Sequence, residues 1–227
     1  MTGRLLIVAT PVGNLDDLSA RARRELEAAD LVACEDTRRT GWLLHQLGIK
    51  RPLVSLHEHN ERQRLPQILA ALDDGKTVAL TSDAGTPLVS DPGFVLVREA
   101  AARDVSIEAV PGASAVLVAL VVSALPPFPF TFCGFPPPKS GKRRTFYQRF
   151  AAFDHTLVVF ESPHRLLASL ADALEVLGDR PAAVCRELTK VHEEVLRGPL
   201  SELLETLRGR PALKGEFVVV LGGASDR

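Results

Sequence analysis

The sequence predicts an α/β fold built as two successive α/β domains. Apolar runs of strand length alternate with helical patterns from the first residues onward, and polar loops rich in Gly, Pro and Asp follow the ends of those runs. The alternation is interrupted at LPPFPF, 125–130, where three prolines make a stiff extended connection. Short strands joined by helices imply a doubly wound parallel sheet. The proline segment sets the expected boundary, giving domains 1–125 and 126–227, the second smaller, with a cleft expected between them.

In order, 5–9 reads as a buried strand, 18–29 as a helix, 31–34 as a strand, and 40–47 as a helix. A strand at 53–56 and a helix at 62–72 precede the apolar run 78–80, a helix from Gly93, a strand at 106–110 and a helix at 113–124. Beyond the prolines, 131–135, 155–160, 182–186, 193–197 and 216–221 read as strands. Helices fill the gaps at 144–153, 164–177 and 201–207.

The chain has 227 residues with 27 basic against 28 acidic side chains, so a blanket polycation that coats nucleic acid is excluded. Any RNA contact must come from a local basic cluster. Cys34, Cys133 and Cys185 are far apart with no CxxC pair, which argues for buried thiols in a reducing compartment. The first residues hold too short an apolar run for a signal segment, and the longest run, 113–125, falls short of the roughly 20 residues of a membrane span. A cytoplasmic protein with no membrane or DNA partner is expected.

Five polar loops stand where strands end: TPVGN at 10–14, EDTRR at 35–39, HEHN at 57–60, SDAGTPLVSDPG at 82–93 and PGASA at 111–115. In a parallel sheet all carboxyl ends lie along one edge, where open α/β folds bind ligands, so these loops can converge. Each residue type in 82–93 has a job. Asp83 can accept hydrogen bonds from an amino or hydroxyl group, Gly85 lets a ligand approach the backbone, and Pro87 fixes φ. Asp91 reads as an N-cap with Pro92 at the first helical position. Ser114 and Ala115, after Pro111-Gly112, offer backbone donors and a small surface for a flat ring, or simply cap and pack a helix. Neither GxGxxG nor GxxxxGK[ST] occurs, which disfavours nicotinamide, flavin and P-loop chemistry.

His57 and His59 lack a third ligand at a recognisable spacing, so no metal is expected. Asp36 or Thr37 is a candidate cap for the next helix, with Arg38 and Arg39 solvated. In FESPHR, 160–165, Ser162 as N-cap and Pro163 at the first helical position leave Glu161, His164 and Arg165 free to meet a ligand, and Arg165 suits a phosphate. PPPKSGKRR, 136–144, is the dense basic cluster, read as a flexible loop whose cations contact an RNA backbone or water.

These segments, with TPVGNLDDLSARA, ACEDTRRTG, SLHEHNE, GFPPPKSGKRR and RELTKVHEEVLRG, resemble in order the signature segments of the bacterial 16S ribosomal RNA cytidine 2′-O-methyltransferase family. That family is a branch of the tetrapyrrole methylase-like S-adenosylmethionine enzymes. The resemblance implies a homodimer of two-domain subunits, S-adenosyl-L-methionine held in the cleft, and methyl transfer to the ribose 2′-hydroxyl of a decoding-centre cytidine of 16S rRNA in the small ribosomal subunit. It implies cofactor contacts at Pro11, Val12, Asp83, Leu88, Ser114 and Ala115, and at Phe160, Leu188, Gly215 and Glu216. Asp36 and Glu161 are the candidates for the base, with His164 and Arg165 positioning phosphate or hydroxyl. Arg38, Lys139, Lys142, Arg143 and Arg144 are the candidate RNA contacts. Members often continue with a basic helical tail, so with the chain ending at Arg227 the main RNA grip is expected at 139–144. The rival readings are a methylase of a tetrapyrrole or diphthine precursor and a non-catalytic RNA-binding or ribosome-assembly factor on the same fold.

Overall fold

The computed structural model describes residues 3–224. They divide into two compact units, one ending at Ser114 and the other beginning at Ala115.

The first unit contains β1 (Arg4–Val8), α1 (Ala20–Ala28), β2 (Leu31–Cys34), α2 (Thr37–Gln46), β3 (Leu53–Ser55), α3 (Glu61–Asp73), β4 (Thr77–Thr81), α4 (Phe94–Ala101) and β5 (Ser106–Val110). Its strands lie in the order β3-β2-β4-β1-β5, and every pairing is parallel. Side chains of a strand alternate between faces, so the continuous apolar run of β1 feeds two cores. Leu5 and Ile7 pack with Ile68, Leu72 and Leu96 from α3 and α4. Leu6 and Val8 pack on the other face with Ala22, Leu26 and Leu44 from α1 and α2. Ser19 caps α1 by accepting the Ala22 N–H at 3.0 Å, so the helix starts two residues later than the apolar pattern suggests.

The second unit contains α5 (Ala115–Ser123), β6 (Phe130–Gly134), α6 (Ser140–Gln148), β7 (Thr156–Glu161), α7 (Leu166–Leu177), β8 (Pro181–Arg186), β9 (Glu194–Pro199), α8 (Leu200–Arg208) and β10 (Phe217–Leu221). Its sheet runs β6-β7-β10-β8-β9, with β6 and β7 parallel and the other neighbours antiparallel. Leu166, Leu170, Leu203 and Leu204 of α7 and α8 close its core over Leu157, Val159 and Val219. No helix among the described residues is long and apolar enough to cross a membrane.

Three local expectations are corrected. The units part after Ser114 rather than at 125, because α5 packs on β8, β9 and β10 and Arg197 Nε donates to the Val122 carbonyl near its end at 2.8 Å. The second unit is therefore nearly as large as the first. Asp91 does not cap α4. That helix starts at Phe94 behind Gly93, whose φ of 114° is left-handed and whose missing side chain leaves room for Leu80: a Cβ there would lie 2.6 Å from Leu80 Cδ2. Ser162 does not cap α7 either. Its carbonyl instead accepts the N–H groups of Arg165 and Leu166, and the helix begins at Leu166 after a turn.

Candidate functional site

The carboxyl ends of β1, β2 and β4 are neighbours in the first sheet, and their loops are stitched together. Thr10 and Gly85 exchange both backbone hydrogen bonds, at 2.8 and 3.1 Å, and Thr10 Oγ1 donates to the Ser82 carbonyl at 3.2 Å. Asp83 Oδ1 accepts the Asp36 N–H at 3.1 Å, while Oδ2 lies 3.5 Å from the Arg39 guanidinium. Asp36 caps α2, one of the two readings of that residue: its Oδ1 accepts the Arg38 N–H at 2.8 Å. Arg38 then folds back to grip both oxygens of the same carboxylate, at 3.1 and 2.7 Å.

These loops enclose an open groove of about 580 Å³, within the size range of small-molecule sites. Pro11, Val12, Asp36, Arg38 and Asp83 line it, so the structure brings together five of the expected residues. Leu88, Ser114 and Ala115 are not part of that lining. Leu88 sits in the 82–93 loop with φ of 73°, and Ser90 with φ of 68°, two left-handed residues without the freedom of glycine. Trp42, Arg39 and Thr10 also line the groove. Arg38 and Trp42 are four residues apart on α2 and share a helical face, a spacing legible in EDTRRTGWLL but not read as a site.

The electrostatics of this edge are uneven. The hydrogen bonds from Arg38 hold the Asp36 carboxyl down to about 2. Burial pushes Asp91 up to about 6, reinforced by Glu35 and Asp83, and burial likewise raises Glu35 beside Asp83. Burial pushes the Cys34 thiol up to about 11, which makes it inert. The HEHN loop is a hydrogen-bonded turn: Asn60 Oδ1 accepts the His57 N–H at 2.8 Å and its Nδ2 donates to Ser55. Among the described residues no group of three His, Cys, Asp or Glu side chains could hold a metal ion.

In the second unit, Glu161 and Arg165 are not free. Glu161 is buried and pairs with Arg165 at 2.9 Å, while Arg165 Nε donates to Ser162 Oγ at 3.1 Å. Glu161 Oε2 is nevertheless buried without a hydrogen-bond partner. His164 is exposed. Phe160 stacks edge-on between Phe132 and Phe135, with ring centroids 4.8 and 5.4 Å away. Leu188 is buried. Gly215, with φ of 99°, packs so tightly on Glu187 that a Cβ would fall 2.6 Å from its Cγ, and Glu216 pairs with Lys190 at 3.0 Å.

The basic run is corrected most. Its second half, from Ser140, is the start of α6 rather than a flexible loop, and of its two arginines Arg143 faces inward while Arg144 stays half-exposed. Arg143 is 3% exposed and pairs with the buried Asp172 at 2.6 Å; Arg144 Nε reaches the same carboxylate at 2.9 Å and its other end Glu175 at 2.8 Å. Arg143 thus cannot meet a polyanion. Lys139 and Lys142 are exposed.

A parallel sheet with its ligand loops at one edge, followed by a mixed five-stranded sheet, is the methylase architecture of solved structures such as uroporphyrin-III C-methyl transferase from Thermus thermophilus complexed with S-adenyl homocysteine. The two align with a TM-score of 0.69 and 20% identity over 98% of this chain and 99% of that one. The model of the tetrapyrrole (corrin/porphyrin) methylases matches residues 4–204, and the chain belongs to that family. It is 47% identical over 225 residues to ribosomal RNA small subunit methyltransferase I of Micromonospora olivasterospora, covering 99% of this chain and 72% of the relative. It is 44% identical over 221 residues to the protein of the same name from Thermotoga maritima, covering 97% and 99%.

Proposed function

We propose that this chain transfers a methyl group from S-adenosyl-L-methionine to small-subunit ribosomal RNA, and that the acceptor is the ribose 2′-hydroxyl of a cytidine in 16S rRNA. The observation that carries this reading is the near-full-length identity to ribosomal RNA small subunit methyltransferase I proteins, joined to a strand-end groove lined by Pro11, Val12 and Asp83.

The residues present fit such a cofactor. Thr81 Oγ1, at the end of β4, is a buried polar atom without a partner. Gly85 has φ of 78° and pairs through its backbone with Thr10 of the groove lining, which holds the 82–93 loop against the groove. When bound, the cofactor supplies an electrophilic methyl on a sulfonium. Asp83 accepts hydrogen bonds, Pro11 and Val12 supply apolar walls, and Leu88, Ser114 and Ala115, with Phe160, Leu188, Gly215 and Glu216, complete the proposed contacts. Holding both reactants in place contributes up to about 7–11 kcal/mol of barrier lowering in well-oriented reactions.

A base assisting the ribose hydroxyl adds about 10²- to 10⁴-fold. Asp36, held near 2 by Arg38, suits orientation better than proton acceptance. Glu161, with its unpartnered Oε2, is the better candidate, steadied by Arg165 and with His164 as the exposed polar neighbour. Lys139, Lys142 and the half-exposed Arg144 are the proposed backbone contacts in the second unit, and Arg38, charge-matched by Asp36, is the proposed RNA contact in the first. Leu117, Val121 and Phe128, 54, 80 and 85% exposed, offer apolar surface in support of a homodimer.

The test incubates the protein with labelled cofactor and unmethylated small subunits and maps the label. A labelled ribose is expected. Label on a base overturns the 2′-O assignment, and no label overturns the enzyme in favour of an RNA-binding role.

A further inference from the structure

We infer that the exposed indole of Trp42 is the stacking platform of a nucleobase subsite in the first unit's groove, one that grips a base of the RNA rather than its phosphate. This rests on the ribosomal RNA reading above. Trp42 is 61% exposed, although large aromatic side chains gain most when buried, and it lines the same groove as Asp83. Its helix is anchored from below, since Thr40, Leu43 and Leu44 are buried while Trp42 projects outward.

The charge of the lining decides what the ring meets. Arg38 is matched by Asp36 at 2.7 Å and Arg39 faces Asp83 at 3.5 Å, so the groove holds two guanidinium and two carboxylate groups. A net-neutral lining is a poor phosphate trap. It suits a neutral flat heterocycle that carries both donors and acceptors on its edge, laid on an aromatic face. Cytosine, with an amino donor and carbonyl and ring-nitrogen acceptors, is such a group. Bases leave the stack to be read in this way by enzymes that act on single nucleotides.

Trp42 is the single tryptophan of the chain, so its emission reports this subsite directly. The experiment titrates the full-length protein with a cytidine-containing single-stranded RNA hexamer, an abasic oligonucleotide of equal length, and S-adenosylhomocysteine. It also measures methyl transfer to unmethylated small subunits for the wild type, Trp42→Ala and Trp42→Phe. Quenching by the hexamer alone is expected, with the apparent KM for subunits raised about 5- to 150-fold in Trp42→Ala and largely rescued in Trp42→Phe. Cofactor affinity stays unchanged in both variants. Quenching by S-adenosylhomocysteine without RNA assigns the ring to the cofactor and overturns the proposal. So do equal quenching by the abasic strand, a change of emission on simple dilution, no quenching at all, or a KM in Trp42→Ala within about twofold of the wild type. If the wild type methylates subunits while any of these holds, the subsite fails and the methyltransferase reading stands; if it transfers no label, the reading itself fails.

Discussion

Replacing Asp172 by Asn isolates the ion cluster that turns Arg143 inward. The native carboxylate accepts from Ser140 Oγ at 2.9 Å, Arg143 Nε at 2.7 Å and Arg144 Nε at 2.9 Å, with Arg143 itself 3% exposed. Without the negative charge, Arg143 keeps the Pro138 carbonyl at 3.0 Å and the longer contact to Pro137 at 3.5 Å, which leaves a buried cation uncompensated. Breaking a buried pair from one side costs about 3–5 kcal/mol. At roughly 2–4 °C per kcal/mol for a chain of this size, Asp172→Asn lowers Tm by about 6–20 °C. Thermal and urea unfolding followed by circular dichroism provide the measurement. The pH dependence adds a sign. Burial raises the Asp172 carboxyl, but the hydrogen bonds from Arg144, Ser140 and Arg143 outweigh it and hold the group below the usual range. Its stabilisation is present above the unfolded value and is lost as pH falls through the lower folded one, so the penalty of Asp172→Asn shrinks in acid. A Tm within about 2 °C of the wild type refutes the reasoning, as does an Arg143→Met/Asp172→Leu pair no more stable than Asp172→Asn. Lys139→Ala and Lys142→Ala leave melting unchanged, and each lowers the salt slope of RNA binding by about 1.

Because Arg38 holds Asp36 near 2, the pH–rate profile of methyl transfer has no break from Asp36 between about pH 4 and 9. Carbon NMR of the Asp36 carboxyl in the wild type and Arg38→Ala checks this: the variant's value rises toward the ordinary ~3.9, and an unmoved value removes the assigned cause. Asp91, raised to about 6 by burial, binds a proton more tightly folded than unfolded, so stability falls as pH rises from about 4 through 6. Asp91→Asn abolishes that slope and stabilises the protein at pH 7.5 by on the order of 2 kcal/mol in urea unfolding, whereas a less stable variant contradicts it.

Much of the fold is written in runs that need no distant partner. LVAC at 31–34 and SIEAV at 106–110 are strands as read, and the strand-end positions of Pro11, Asp36 and Asp83 follow from them. What stayed hidden depends on partners far along the chain. Nothing in KSGKRR tells that Arg143 meets Asp172, 29 residues away in a helix of its own. Counting cations therefore measured charge but not exposure. Asp91 and Ser162 both carry the chemistry of an N-cap, yet the left-handed Gly93 and the turn ahead of Leu166 move each helix start past them. Nothing in the spacing of RTGWLL says which way the Trp42 ring faces; only the burial of Leu43 and Leu44 beside it reveals that.

The place of β10 in the second sheet has a bearing on how the protein is made. Phe217–Leu221 is the last strand of the described chain, yet it lies in the middle of its sheet, antiparallel to both β7 and β8 and buried at every position. On the ribosome the first unit can complete its sheet once β5 has emerged, long before β10 is translated. The second unit has no such option: until Phe217 and the residues after it arrive, β7 and β8 each present an apolar edge with unpaired N–H and carbonyl groups, an open template for misassembly. The nascent chain therefore carries a finished half and an unsealed half at once, and any shortening that removes β10 leaves the second unit open for good.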